Sequence, residues 1–170
     1  MNKFRFKCAT CDAWHEGMPT FGFDAPLYYY SVPEAERKAR CVLGSDDCIV
    51  DDEFFFVRGC LEIPVRGGDE PFVWGVWTSL SRANYEAWRE AFPLAQRSHI
   101  GPFFGWLSAA LPLYPETENL KTMVHLRDKG VRPFVEVEPT QHPLAIEQSE
   151  GIEVSRVGEI YSYFMHQNGA

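Results

Sequence analysis

Two runs dense in β-branched and aromatic residues, Cys48 to Val65 and Phe72 to Leu80, are separated by Gly67-Gly68-Asp69, and this pair constrains the fold more than any other feature of the chain. Such runs favour strands and the Gly-Gly-Asp break favours a turn, so together they read as a central hairpin. Phe72, Trp74 and Val76 alternate with Val73, Gly75 and Trp77, which puts apolar groups on both faces of the second strand. A strand of that kind belongs in the middle of a sheet, covered on both sides. Ser79 or Ser81 can cap a following helix, along which Tyr85, Trp88 and Phe92 recur at spacings of three and four until Pro93 stops it.

Upstream, Phe4, Phe6 and Cys8 alternate with Arg5 and Lys7, the period of a half-buried strand, and this strand delivers Cys8 and Cys11 into a tight turn. Residues 16 to 30 are rich in Gly, Pro and aromatic rings and read as a loop. Ser31-Val32-Pro33-Glu34 has the form of a capping box and predicts a helix over 33–42, ending before Gly44. Downstream, Ile100 to Pro115 is broken by prolines and glycines but carries Phe103, Phe104, Trp106 and Leu107, so it reads as packed yet irregular. Strands are expected at Leu120 to Leu126 and Pro133 to Val137, joined by Asp128-Lys129-Gly130. Thr140 or His142 opens a helix that Gly151 terminates, and Ser155 begins a last amphipathic helix with Val157, Ile160, Tyr161 and Phe164. Strands joined by short turns, with helices between and after, predict an α+β fold: a mainly antiparallel sheet packed by several short helices. One domain over 1–170 is expected, with 1–30 forming a zinc-knuckle-like Cys-x-x-Cys turn and an aromatic loop attached to the body.

Charge removes some function classes. A net charge of −8 repels phosphate backbones, and the nearest basic stretch, Arg37-Lys38-Ala39-Arg40, follows Glu34 and Glu36 as the last turn of a helix would. No nucleic-acid partner is expected. No apolar stretch has signal-peptide or membrane-spanning length, and five cysteines at 8, 11, 41, 48 and 60 fit reduced thiols better than a disulfide framework, so a cytoplasmic protein without a membrane partner is expected. There is no G-x-S-x-G elbow, phosphate loop or G-x-G-x-x-G, which makes the commonest catalytic signatures absent.

The sharpest chemical feature is Cys8-x-x-Cys11 with His15 four residues on. Zinc takes four thiolate or imidazole ligands in a tetrahedron, and two cysteines separated by two residues can present both sulfurs from one turn. The remaining ligands must come from elsewhere, and His15, Cys41, Cys48 and Cys60 are the available candidates. A thiol redox pair is the alternative, although Trp14 and Gly17 around His15 do not read as the helix start that lowers a thiol pKa in such proteins.

Other groupings carry weaker readings. Asp46, Asp47, Asp51, Asp52 and Glu53 lack the spacing of a calcium loop and read as a solvated turn. Trp74, Trp77, Trp88 and Trp106 read as core filling before they read as a cleft. Arg132 at a strand start and His142 at a helix start form a possible anion-binding pair; the plainer expectation is that Arg132 pairs with a structural carboxylate such as Glu147 and that His142 caps its helix. His99, His125 and His166 are given no role.

The order of these features resembles a bacterial family known as domain of unknown function 2199. The likeness is carried by Cys8-x-x-Cys11-x-x-x-His15, Asp47-Cys48-Ile49, Phe55-Phe56-x-Arg58-Gly59, Leu61-Glu62-Ile63-Pro64, Trp74-Gly75-x-Trp77-x-Ser79-Leu80, Gly105-Trp106-Leu107, Tyr114-Pro115-x-Thr117, Arg132-Pro133 and His142-Pro143-Leu144-Ala145 with Gln148. Asp12 stands where members often have Gly, and Asp tolerates the positive φ such a turn needs. The resemblance implies Cys8, Cys11, His15 and Cys48 as the ligands of a structural zinc, and it implies no activity. The expected function is therefore a non-enzymatic binding or regulatory module, its acidic charge suited to a basic protein partner. The rivals are a metal-assisted enzyme, with Cys8, Cys11 and either His15 or His142 leaving one zinc position open, and a thiol redox protein using Cys8 and Cys11.

Overall fold

The computed structural model describes residues 3–167. A two-stranded hairpin of β1 (Arg5–Lys7) and β2 (Trp14–Glu16) precedes β3 (Thr20–Gly22), α1 (Leu27–Ser31), α2 (Glu34–Arg40), β4 (Cys41–Leu43) and β5 (Asp47–Val50). The long strands β6 (Phe54–Ile63) and β7 (Phe72–Leu80) follow, then α3 (Arg82–Ala91), β8 (Phe103–Leu107), β9 (Lys121–His125), β10 (Phe134–Val137), α4 (Pro143–Glu150) and α5 (Val154–Ser162), which runs into a π-helical turn at Tyr163–Gln167.

The expected hairpin is present as β6 and β7, paired antiparallel from Phe55↔Leu80 to Ile63↔Phe72. The sheet around it is not the plain antiparallel sheet that the strand order suggests. Strands β7, β8, β9 and β10 follow one another as antiparallel neighbours, and β10 then pairs with β6 in parallel, so β6 to β10 close into a five-stranded barrel. Closure depends on β6, whose one edge holds β7 along its length while the other is shared between β5 at Phe54–Val57 and β10 at Cys60. Two glycines let the wall curve tightly: a Cβ on Gly59 would strike Val135 and the Pro133 carbonyl, and one on Gly105 would strike Thr78 and the Ser79 carbonyl.

Alternate residues of every barrel strand point inward. Val57, Leu61 and Ile63, Phe72, Trp74 and Val76, Leu107, Val124, Val135 and Val137 are all buried there, each contributing roughly 1.5–3 kcal/mol of apolar burial. One end is closed by Tyr85, Trp88 and Ala91 of α3, and the other by Phe6, Leu144, Ile152, Val157 and Ile160. A third cluster of Val32, Cys48, Val50, Phe56 and Trp77 lies on the outer side of β6 and β7.

Several local expectations hold: Ser81 caps α3 by accepting from Asn84 N, His142 caps α4, and Gly151 ends α4 at φ 84°. Others are corrected. The aromatic loop contains β3, which pairs in parallel with β7 where Gly22 and Gly75 bring two backbones together, and the helix α1. Ser31 belongs to α1, where its hydroxyl donates to Tyr28 O, so it is not free to cap α2, which starts after Pro33 without a side-chain cap. The irregular stretch after Ile100 contains β8, because barrel pairing on both sides outweighs its prolines and glycines. Trp74, Trp77 and Trp88 are core residues as expected, whereas Trp106 faces outward. No helix among the described residues is long and apolar enough to cross a membrane.

Candidate metal centre

The site is built on the first hairpin. Phe6 lies opposite His15 in the β1–β2 register, and the turn beyond is closed by Cys8 N donating to Ala13 O at 2.9 Å. Asp12 supplies the left-handed corner at φ 58°, and its carboxylate meets Lys7 Nζ at 2.8 Å. The turn presents Cys8 inward, almost fully buried, and Cys11 toward solvent.

Helix α5 crosses this hairpin closely. Gly158 sits against the Lys7 carbonyl with no room for a Cβ, and the hydroxyls of Thr10 and Ser162 hydrogen-bond to each other. Tyr161 packs edge-on to Phe6 at 5.0 Å and lies 4.5 Å from the His15 ring, which stacks on Phe6 at 5.3 Å. The helix then widens into its π-helical turn, a distortion common where function demands a side chain off the regular helical path. That turn brings His166 to the cysteines: the Cys8 and Cys11 sulfurs and one His166 ring nitrogen all lie within 4.8 Å of one another. His15 Nε2 is 3.8 Å from Cys11 Sγ. A zinc tetrahedron with Zn–S near 2.3 Å and Zn–N near 2.0–2.1 Å has edges of about 3.3–3.8 Å, so Cys8, Cys11 and His166 would close by up to about 1.3 Å to reach bonding geometry, and His15 lies beside Cys11 but outside that three-donor group.

Burial of Cys8 works against its thiolate, but the Cys11 and Thr10 backbone N–H groups, the Cys11 thiol and the Ser162 hydroxyl outweigh it and hold the Cys8 pKa below the ordinary thiol value. Stabilised thiolate character is what metal ligation requires.

The other sequence-predicted residues lie elsewhere. Cys48 is in β5 within the outer cluster with Val32, Val50, Phe56 and Trp77, and it is not part of the Cys8–Cys11–His166 group. Burial pushes its thiol up to about 12, which keeps it protonated and apolar in character at neutral pH. Arg132 pairs with Asp46 at 3.1 Å; Glu147, its expected partner, is instead held by Arg156 at 3.0 Å and by the Tyr114 hydroxyl. His142 caps α4 by accepting from Leu144 N through Nδ1, and its Nε2 lies 3.0 Å from Glu116 O, so both ring nitrogens have partners within the protein. Arg132 and His142 thus have separate partners. The acidic turn is engaged in ordinary pairs, Asp47 with the Tyr85 hydroxyl at 2.6 Å and Asp51 with Arg40 at 2.8 Å.

The residue that sequence reasoning missed is His166. Its only sequence signal is a histidine closing an amphipathic helix, and nothing local ties it to a turn at the opposite end of the chain.

The matching family is described as "Uncharacterized protein conserved in bacteria (DUF2199)" and covers residues 7–152, a span that includes Cys8, Cys11, His15 and Cys48 but ends before His166. No curated protein and no solved structure matches the chain.

Proposed function

The chain belongs to this bacterial DUF2199 family, and from the geometry of its first hairpin we propose that it is a non-enzymatic binding module whose scaffold is fastened by one structural zinc ion. The reading rests on the convergence of the Cys8, Cys11 and His166 donors, two from the N-terminal turn and one from the end of α5. His15, 3.8 Å from Cys11, is the fourth ligand in this reading. A set of two sulfurs and two imidazoles suits zinc, and a filled tetrahedron leaves no position for substrate or water. The ion ties the hairpin to α5 and so closes one end of the barrel. A cytoplasmic setting accords with the reduced thiols, and the net charge of −8 suits a basic protein partner.

Elemental analysis of purified protein tests the reading. About one zinc per chain is expected, with Cys8→Ser and His166→Asn each losing the metal and lowering the melting temperature by several degrees. Metal-free protein whose melting profile ignores both added zinc and chelator would overturn it. Cobalt substitution separates this reading from an open catalytic site: a closed tetrahedron gives a visible spectrum indifferent to added anions, whereas an open one responds to them.

A further inference from the structure

The outer wall of the barrel is covered unevenly. Over β6 and β7 it is sealed by the cluster of Val32, Cys48, Val50 and Phe56 around Trp77. Over β8 it carries two large aromatic side chains in the open, beside the half-buried Met123 of β9. On β8 the residues alternate buried and exposed, so Phe104 and Trp106 project together from the outer face, 43% and 42% exposed, with ring centroids 5.2 Å apart in an edge-to-face pair. The register fixes their neighbours. Phe104, Met123 and Glu136 form one row across the three strands, and Trp106 and Lys121 begin the next, which Glu138 completes by donating its N–H to Lys121 O at 2.9 Å. A cavity of about 180 Å³ opens among Phe104, Met123, Pro139, Lys121, Glu136 and Glu138.

Monomeric proteins seldom leave adjacent large rings exposed without a use for them. Here the Phe104 ring and the Met123 thioether form an apolar slot beside Trp106, with the Glu136 and Glu138 carboxylates and the Lys121 ammonium around it, in a chain whose net charge is −8. That combination selects a cationic side chain with an aliphatic stem: the stem lies against Phe104 and Met123, the charge faces the negative π-surface of Trp106 or Phe104, and Glu136 or Glu138 neutralises it. Arginine fits best, because its planar guanidinium can stack on a ring and still pair with a carboxylate. We infer that the β8–β10 face is the docking surface for an arginine-containing basic segment of a partner protein. This deepens the reading of the chain as a binding module and names the chemistry of its partner.

The test uses the whole zinc-loaded protein and a fluorescently labelled Arg-Gly repeat peptide, followed by anisotropy at moderate salt. Saturable binding is expected, weakened at least tenfold by Phe104→Ala with Trp106→Ala and at least fivefold by Glu136→Gln with Glu138→Gln. All four side chains are exposed, so the variants should fold; unchanged zinc content and melting temperature verify this. Glu34→Gln with Glu36→Gln on α2 removes equal charge at another exposed place and should leave affinity unchanged. Absence of saturable binding, or equal loss in the α2 control, would overturn the inference. The metal content of the same preparations reports on the zinc-fastened scaffold separately, so failure of the peptide to bind a fully loaded protein strikes the docking surface alone.

Discussion

Gly158 of α5 lies directly against the carbonyl of Lys7 in β1, and a Cβ at that position would collide with the oxygen. A helix can approach a strand this closely only where it carries no side chain. The approach carries Ser162 to Thr10 and His166 to Cys8, so one absent methyl group sets the geometry of the candidate metal centre.

Gly158→Ala therefore inverts an ordinary rule. Within a helix this change is normally stabilising by about 0.5–1 kcal/mol. Here it forces α5 off the hairpin and should cost about 1–3 kcal/mol while weakening zinc retention. Urea denaturation decides the sign, and a more stable variant would mean that the helix is not pressed onto Lys7.

Cys48→Ala distinguishes two possible ligand sets. Cys48 packs among Val32, Val50, Phe56 and Trp77, so its replacement should cost about 1 kcal/mol through lost packing and leave the zinc content of the protein unaltered. If the metal is lost with this thiol while the His166→Asn variant keeps it, Cys48 and not His166 is the ligand.

Tyr85 should give the protein a measurable alkaline sensitivity. Burial, then its hydrogen bond to Asp47, pushes the phenol up to about 12, against roughly 10 in an unfolded chain. Because the folded state prefers the protonated phenol, this contribution is complete below about pH 10 and is lost as pH rises toward 12. Ultraviolet titration of the tyrosines should contain a late step that Tyr85→Phe removes; a variant with an unchanged titration curve would refute the assignment.

Arg97 is a buried cation satisfied by carbonyls. Its guanidinium donates to Arg127 O at 2.8 Å, Phe92 O at 2.5 Å and Val131 O at 3.1 Å, joining the end of α3 to the β9–β10 turn. Arg97→Met keeps much of the volume but removes these donors, at about 1–3 kcal/mol for each carbonyl left unsatisfied. A loss under about 1 kcal/mol in denaturant titration would show that water reaches the freed carbonyls and takes the place of the guanidinium.

Much of the local structure is legible in the residues because its causes are local. The alternation in Phe72 to Leu80, Ser81 before its helix, His142-Pro143 at the next and Gly151 at its end each act within a few positions. Ser31 misleads because two adjoining helices compete for it. Half of the candidate site is visible for the same reason: Cys8 and Cys11 share one turn.

The sequence by itself determined the α+β composition, the central hairpin, the acidic charge and a turn with two sulfurs. Only the tertiary structure decided that β10 returns beside β6 to close a barrel, that Trp106 faces outward while Trp77 is covered, and that His166 meets Cys8 and Cys11. Those outcomes depend on pairings between distant segments, in which register and close packing select the neighbour. Periodicity along a strand or helix tells which face is apolar, and carries no information about what will cover it.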